Sequence, residues 1–302
     1  MRIHLPGGLA LAAVLLLPGC SLKKIAVNSL GNALAKGGST YASDDDPELV
    51  RDATPFALKT MESLLDESPR HKGLLLATSS GFTEYAYAFI EQEADFVESK
   101  DLARATALRN RARKLYRRAL DYGLRGLEVD FPGFRDRARK DAEAALGKTT
   151  KEHVGLLYWT GTALGAAISI SKDDPELTAD QPLMEALMRR ALALDEGYEK
   201  GSIHDFFISY EGGRKSVGGS VEKAREHFER SLALSGGTRA WPLVNFAEVV
   251  SVATQNRKEF EELLGRALAV DPNKSKEQRL TNLIAQERAR WLLGRGDDLF
   301  VE

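Results

Sequence analysis

The chain contains one cysteine, Cys20, and its surroundings predict chemistry on the thiol. An apolar run over residues 9–17 follows Arg2 and leads into Pro18-Gly19-Cys20. A basic start, an apolar stretch and a small residue before the cleavage point make a secretory signal. Gly19 directly before the cysteine matches the bacterial lipobox, in which the thiol is acylated and becomes the new N-terminus. Pro18 departs from that pattern, since Ala, Ser or Thr is commoner there.

This motif predicts a signal peptide over residues 1–19 and lipidation of Cys20. The protein is then exported, periplasmic and held at a membrane through its lipid alone. Ser21 follows the cysteine instead of the Asp associated with inner-membrane retention, which favours the outer membrane over the inner one. The alternatives are an ordinary signal peptide with an incidental cysteine, or a misassigned start.

Charge and cysteine usage exclude several other classes. The formal net charge of −2 argues against nucleic acid as a partner and leaves no polybasic membrane patch. With the one thiol lipidated, neither a disulfide nor thiolate chemistry is available, so stability must come from apolar packing.

No catalytic or metal-binding motif accompanies the cysteine. Gly218-Gly219-Ser220-Val221-Glu222 lacks the closing glycine of a nucleophile elbow. Gly147-Lys148-Thr149 resembles the end of a phosphate loop, but Ala142 replaces the leading glycine and a helix precedes it, so Gly147 is interpreted as a helix C-cap. The histidines are scattered at positions 71, 153, 204 and 227. We therefore predict no enzyme, no cofactor and no metal site.

Two aromatic clusters are the candidates for binding. They comprise Tyr158 and Trp159 in one apolar segment, and His204, Phe206, Phe207 and Tyr210 in another. Core packing is the default interpretation of such clusters. The alternative is a ligand cleft or pore, because concave helical superhelices present grooves of this kind. The cleft or pore residues would then be Tyr158, Trp159, His204, Phe206 and Tyr210.

The elements that must position these side chains are helices. From Asp44 onward, apolar residues recur at intervals of three and four, and strand-like alternation is scarce. Asp46 before Pro47 and Glu48 predicts a capped helix start. The glycine-rich stretch before it predicts that residues 20–43 are a lipidated N-terminus with a tether, and that residues 44–302 are the helical domain.

The helical part of the sequence contains a recurring triplet. Arg-Ala-Leu or Arg-Ser-Leu triplets begin at Arg118, Arg190, Arg230 and Arg266, with separations of 72, 40 and 36 residues. A period in the thirties with helix-turn-helix content is typical of tetratricopeptide repeats. The predicted fold is all-α, a helix-pair superhelix of degenerate tetratricopeptide-like repeats in one compact domain. A generic α-bundle is the alternative.

Small and aromatic residues support the repeats. Ala112, Tyr116 and Ala119 show the small-aromatic-small spacing of the repeat's second helix, as do Ala224, Phe228 and Ser231. Small residues let neighbouring helices approach closely, while the aromatic ring fills the gap between pairs.

Two further stretches have competing interpretations. The apolar segment 154–170 is at the short limit for a membrane span, and we interpret it as a buried helix whose Gly161 and Gly165 admit a close neighbour. The basic run from Arg104 to Arg118 is interpreted as a solvated helix face, with an acidic partner as the alternative.

The chain resembles the T component of TRAP-type transporters, a family of tetratricopeptide-repeat lipoproteins. The resemblance covers the mature chain and lies in segments 42–51, 156–161, 171–177, 218–219 with 223–230, 291–293 and 297–300. It implies an all-helical protein with a pore or cleft, a homotrimer, and a periplasmic solute-binding protein as partner that feeds an inner-membrane permease. Gly212 and Gly213 stand where the resemblance leads us to expect a more polar loop. The resemblance supplies no catalytic residue.

These observations give two main hypotheses. The first is a lipid-anchored accessory subunit that binds or passes a small hydrophobic or organic-acid ligand together with the solute-binding protein. The second is a protein-interaction scaffold of the cell envelope without a ligand of its own. An enzyme of unrecognised type has the least support.

Overall fold

The computed structural model describes residues 19–36, 38–214 and 218–301. The predicted signal peptide lies outside the described residues except for Gly19, and Cys20 is described in its backbone only. Within the described ranges the secondary structure is helical and contains no strand, which confirms the all-α class.

The helices follow one another with short connections. In chain order they are α1 (Gly19–Lys36), α2 (Gly38–Ala42), α3 (Pro47–Glu67), α4 (Lys72–Tyr85), α5 (Gln92–Val97), α6 (Leu102–Asp130), α7 (Phe134–Lys140), α8 (Ala142–Leu146), α9 (Val154–Ser169), α10 (Pro175–Ala179), α11 (Gln181–Leu194), α12 (Ser202–Gly212), α13 (Val221–Ser235), α14 (Trp241–Phe246), α15 (Arg257–Leu268), α16 (Arg279–Leu293) and α17 (Gly296–Leu299). Two π-helical segments, Ala86–Glu91 after α4 and Ala247–Ser251 after α14, continue those helices.

The predicted start of α3 is confirmed. The carboxylate of Asp46 accepts hydrogen bonds from the backbone N–H groups of Glu48 and Leu49, both at 3.0 Å, and Pro47 is the first helical residue. Asp174 caps α10 in the same way ahead of Pro175. Because these side chains satisfy backbone donors that have no partner inside the helix, a short local sequence fixes both starts.

Two apolar cores hold the helices together. The first core runs from Leu58 in α3 to Tyr210 in α12, and the second from Ile208 in α12 to Phe300 near the C-terminus. Successive helices pack on one another within each core, for example α4 on α6, α12 on α13 and α15 on α16. This arrangement of consecutive packed helices fits the predicted repeats.

The residues that carry the repeat pattern are buried. Ala112, Tyr116 and Ala119 of α6 are fully inaccessible, and so are Ala224 and Ser231 of α13. A methyl or hydroxyl at these sites allows neighbouring helices to approach closely.

The apolar segment that begins at Val154 is α9, a buried core helix, as predicted. A methyl group at Gly161 would lie 2.6 Å from the Met188 sulfur, so α11 packs directly on the glycine. Among the described residues no helix is long and apolar enough to cross a membrane.

The basic face of α6 is neutralised within the chain. Arg104 pairs with Glu93 at 2.6 Å, and Arg109 pairs with Asp95 at 2.9 Å. Further along the helix, Arg117 and Arg118 pair with Asp174 and Glu62. These arginines connect α6 to neighbouring elements.

The stretch predicted as a tether is helical in the structure. Helix α1 packs on α3 and α4 because Gly31 leaves room for Leu74, whose Cδ1 would lie 2.7 Å from a methyl at that position. Arg279 of α16 donates to the backbone carbonyl of Ser43 at 3.2 Å. The last long helix therefore returns to the beginning of the domain.

Candidate functional site

One side of α4 is accessible although other helices surround this helix. Leu76, Ala77, Ser80 and Glu84 recur at intervals of three and four and share that side. On the remaining sides, buried residues face α3, α6 and α9; they are Leu74, Leu75, Thr78, Ser79, Phe82 and Thr83. Helix α4 is therefore packed on most sides and accessible on one.

Helix α9 presents a similar face. Gly155, Thr162 and Ala166 are accessible in part, and Tyr158 and Trp159 flank them, each 9% exposed. The other positions of the helix are mostly buried in the first core. The two aromatic residues predicted to line a cleft are therefore at the edges of an accessible face.

Helices α12 and α14, in the second half of the chain, each have an accessible side as well. On α12 the accessible side carries Phe206 and Ser209. On α14 and its π-helical continuation it carries Trp241, Asn245 and Glu248, again at intervals of three and four. Each face is a narrow stripe on an otherwise buried helix.

Contacts between neighbours join the four stripes into a closed circuit, which we call the inner ring. A methyl at Gly155 of α9 would lie 3.2 Å from Leu76 of α4. A methyl at Gly165 of α9 would lie 3.0 Å from Phe206 of α12. The remaining two contacts are a 2.7 Å hydrogen bond from Ser209 to Asn245 and an edge-on ring contact between Tyr87 and Trp241. The last contact returns the circuit to the end of α4.

Glu84 is the most informative residue of the inner ring. Its side chain is accessible, yet desolvation by the surrounding protein, together with the charge of Glu199, raises the pKa of Glu84 to about 8. A carboxylate on an outer surface would be well hydrated and would keep an ordinary pKa. Glu84 is therefore accessible but crowded by other protein atoms.

Glu199, whose charge acts on Glu84, lies in the turn between α11 and α12. Burial raises the pKa of Glu199, while a hydrogen bond with Tyr198 and the charge of Arg239 oppose the rise. The backbone is left-handed at Glu199, with φ of 44°, and at Lys200, with φ of 57°. Such angles are uncommon for residues with a side chain and are often seen where function constrains the chain.

Three aromatic rings cluster on α9 and in the turn that carries Glu199. The Tyr158 ring centroid lies 5.0 Å from that of Trp159 and 5.3 Å from that of Tyr198. Burial raises the pKa of both tyrosines, and the charges of Glu199 and Glu84 contribute to the rise at Tyr158. The inner ring and the adjoining turn at Glu199 therefore combine aromatic rings with two carboxyl groups.

An ion-pair network fixes the far side of the ring. Arg288 of α16 pairs with Asp95 of α5 at 2.8 Å and with Glu248 after α14. Asp95 also accepts from Arg109 of α6. Because Arg288 and Asp95 each bind two partners of opposite charge, the network holds its helices in one geometry.

The remaining candidate residues lie elsewhere. His204 faces α13, where its Nδ1 atom is 2.8 Å from Nδ1 of His227 and its Nε2 atom is 3.2 Å from Glu196. Burial lowers the pKa of both histidines, to about 4 for His227. Tyr210 donates to Glu185 at 2.6 Å and stacks on Phe206, with ring centroids 5.8 Å apart. The structure thus brings Tyr158, Trp159 and Phe206 to the inner ring and places His204 in a separate cluster.

Sequence reasoning missed Glu84, Glu199 and Trp241. A weak signal for Glu84 exists, because Ser80 and Glu84 are polar residues one turn apart in an otherwise apolar helix. In the part of the chain that the structure describes, no group of three or more metal-binding side chains comes together.

The described residues define an all-α protein in which four accessible helix faces contact one another in turn. The family model of the TRAP transporter T-component matches residues 43–300. A protein of Treponema pallidum (strain Nichols), described as uncharacterized, is 31% identical over 312 residues, which are 97% of each chain. The chain belongs to the TRAP transporter T-component family, and this membership makes it an accessory component of a TRAP transport system and points away from an enzyme.

Proposed function

We propose that the protein is a lipid-anchored periplasmic accessory subunit that binds or passes a small ligand through the inner ring. The observation that supports this is Glu84, which is accessible but desolvated on the same helix face that contacts α9. Ligand sites commonly combine apolar walls with a few polar groups that fix orientation.

The proposed partner is a periplasmic solute-binding protein of the same TRAP system, and the proposed assembly is a homotrimer. Family membership supports both proposals. Lipid on Cys20 would hold the subunit at a membrane that faces the periplasm, where it can meet the solute-binding protein.

The test is purification of the lipidated protein from envelope extract, followed by identification of bound protein and bound small molecules by mass spectrometry. Trp159→Ala serves as the comparison, since it removes a ring at the edge of the inner ring. We expect a solute-binding protein with both forms and a small molecule with the wild type only. Recovery of partner proteins without any small molecule would favour the second function, a scaffold of the cell envelope.

A further inference from the structure

Helix α1 packs on the domain with one side. On that side the Ser68 hydroxyl donates to the Asn28 side chain at 2.7 Å. The Leu74 side chain fills the space beside Gly31, and Leu34 packs on the same small core as Leu74. Asn28, Gly31 and Leu34 recur every three residues and therefore share one face of the helix.

The opposite side of α1 is apolar and exposed. The exposed residues between its two outer lysines, Lys24 and Lys36, are uncharged: Ile25, Ala26, Ser29, Leu30, Asn32 and Ala33. Ile25 is 61% exposed and Leu30 is 50% exposed. A single exposed apolar side chain is ordinary, whereas a row of them on one helix face marks a surface that meets something apolar.

The lipid predicted on Cys20 lies at the start of this same helix. Cys20 is the second residue of α1, and the helix continues without interruption to the contact at Asn28. Eight residues of helix span about 12 Å, so the acyl chains and the packed domain are separated by a short rigid segment. Along the helix, Ile25 and Leu30 lie about 8 Å and about 15 Å from the anchor. The anchor therefore keeps the outer side of α1 within reach of the bilayer surface.

Charge favours a membrane over a second copy of the chain as the occupant. Residues 20–43 contain Lys23, Lys24 and Lys36 and no acidic residue, although the whole chain has a formal net charge of −2. Helices that lie in a membrane interface combine an apolar face with basic residues, because anionic lipids attract the lysines. Two copies of α1 would bring these lysines together as like charges. The row of side chains is also small for a stable protein interface, which buries about 800 Å² on each partner.

We propose that α1 is an interfacial helix whose outer side, with Ile25 and Leu30, lies in the headgroup region of the bilayer that holds the Cys20 lipid. This contact adds a protein surface to the attachment through lipid that the sequence predicts. It also fixes how the domain is oriented on the membrane, which acyl chains alone do not do. The inference rests on the lipid anchor of the proposed function and goes beyond it.

The experiment uses the lipidated full-length protein in vesicles of phosphatidylethanolamine and phosphatidylglycerol. Because the lipid occupies the one native thiol, Ile25→Cys and Leu30→Cys each supply a single thiol for a nitroxide label. Electron paramagnetic resonance compares collisions of the label with oxygen, which concentrates in lipid, and with a nickel chelate, which stays in water. Flotation of the vesicles shows that the protein is attached.

Leu102→Cys is the matched control. Leu102 is 66% exposed at the start of α6, whereas Val129 near the end of α6 packs on the same small core as Leu34 of α1. The 27 residues between them span about 40 Å of helix, which places Leu102 far from α1. We expect the ratio of oxygen to nickel collisions to be at least threefold higher at positions 25 and 30 than at position 102.

Equal ratios at the three positions in protein that floats with the vesicles would overturn the inference and leave the anchor of the proposed function standing. Protein that does not float would show that the anchor itself is wrong, and the inference with it. Ready disulfide formation between copies of the unlabelled Ile25→Cys variant would place a second copy of the chain on this side of α1 and would also overturn the inference.

Discussion

Tyr87 and Trp241 meet edge to face, with ring centroids 5.4 Å apart and an interplanar angle of 85°. Tyr87 belongs to the π-helical segment that continues α4, and Trp241 is the first residue of α14. Their contact joins the half of the chain with the first core to the half with the second core. Tyr87 lies within one π-helical segment, and the other continues the helix that Trp241 begins. Such segments are frequent at functional sites.

We expect the rings of Tyr87 and Trp241 to stabilise each other. A double-mutant cycle with Tyr87→Leu and Trp241→Leu, measured by urea unfolding, should give a coupling free energy of about 1 kcal/mol, because edge-on pairs contribute beyond their buried area. The control cycle pairs Tyr87→Leu with Phe134→Leu in α7, where additivity within about 0.5 kcal/mol is expected. Equal coupling in both cycles would mean that the ring contact has no special role.

Neighbouring phenylalanines on α12 should differ sharply in their effect on stability. Phe207 is 0% exposed in the first core, whereas Phe206 lies partly accessible on the inner ring. Phe207→Ala should lower the free energy of unfolding by about 3–5 kcal/mol, and Phe206→Ala by less than about 2 kcal/mol. Urea melts of the two variants give the comparison. A similar loss from both would place Phe206 in the core.

The small residues of the repeats should not tolerate larger side chains. Ala119 and Ala267 are fully buried at helix contacts. Replacement of either with Leu should lower the free energy of unfolding by about 1–3 kcal/mol, because the extra volume forces neighbours apart. Ala144→Leu, at an exposed position of α8, should stay within about 0.5 kcal/mol. Denaturant melts without that difference would contradict the repeat packing.

The raised pKa of Glu84 predicts a pH dependence of stability. The unfolded chain loses this proton near pH 4.5, while the folded protein keeps it up to about pH 8, so stability falls as pH rises between these values. Glu84→Gln should remove this part of the decline and should be the more stable form at pH 8.5, by on the order of 1 kcal/mol, since water reaching the side chain screens the charge.

The groups near Glu84 also titrate or carry charge: Glu199, Tyr158 and Tyr198, with Arg239 beyond Glu199. Glu199→Gln should show a weaker effect of the same sign, and the surface variant Glu143→Gln should follow the wild type. Chemical melts of all four proteins between pH 4 and pH 9 provide the measurement. Parallel curves for Glu84→Gln and the wild type would show that Glu84 is ordinarily hydrated.

Attachment to the membrane should depend on Cys20. A thiol at the mature N-terminus accepts the lipid, and several acyl chains hold a protein firmly where one chain binds only marginally. Cys20→Ser should move the protein from the salt-washed membrane fraction to the soluble one. Retention of the variant in that membrane fraction would refute the lipoprotein prediction.

The sequence by itself determined the parts of this protein that depend on near neighbours in the chain. Asp46 and Asp174 cap their helices through backbone groups two or three residues away. The period of three to four predicts the helices, and small residues such as Ala119 predict where they touch. The aromatic pair Tyr158 and Trp159 was also recognised as a candidate lining.

Only the tertiary structure decided what the inner ring contains. Glu84 and Glu199 lie far apart in the chain, and their proximity depends on how α4, α9 and α12 are arranged. His204 and Phe206 are two residues apart, yet one pairs with His227 and the other reaches the ring. Desolvation depends on all the atoms around a group, and those atoms come from elements that no local pattern connects. The charge state of Glu84 is therefore a property of the assembled fold.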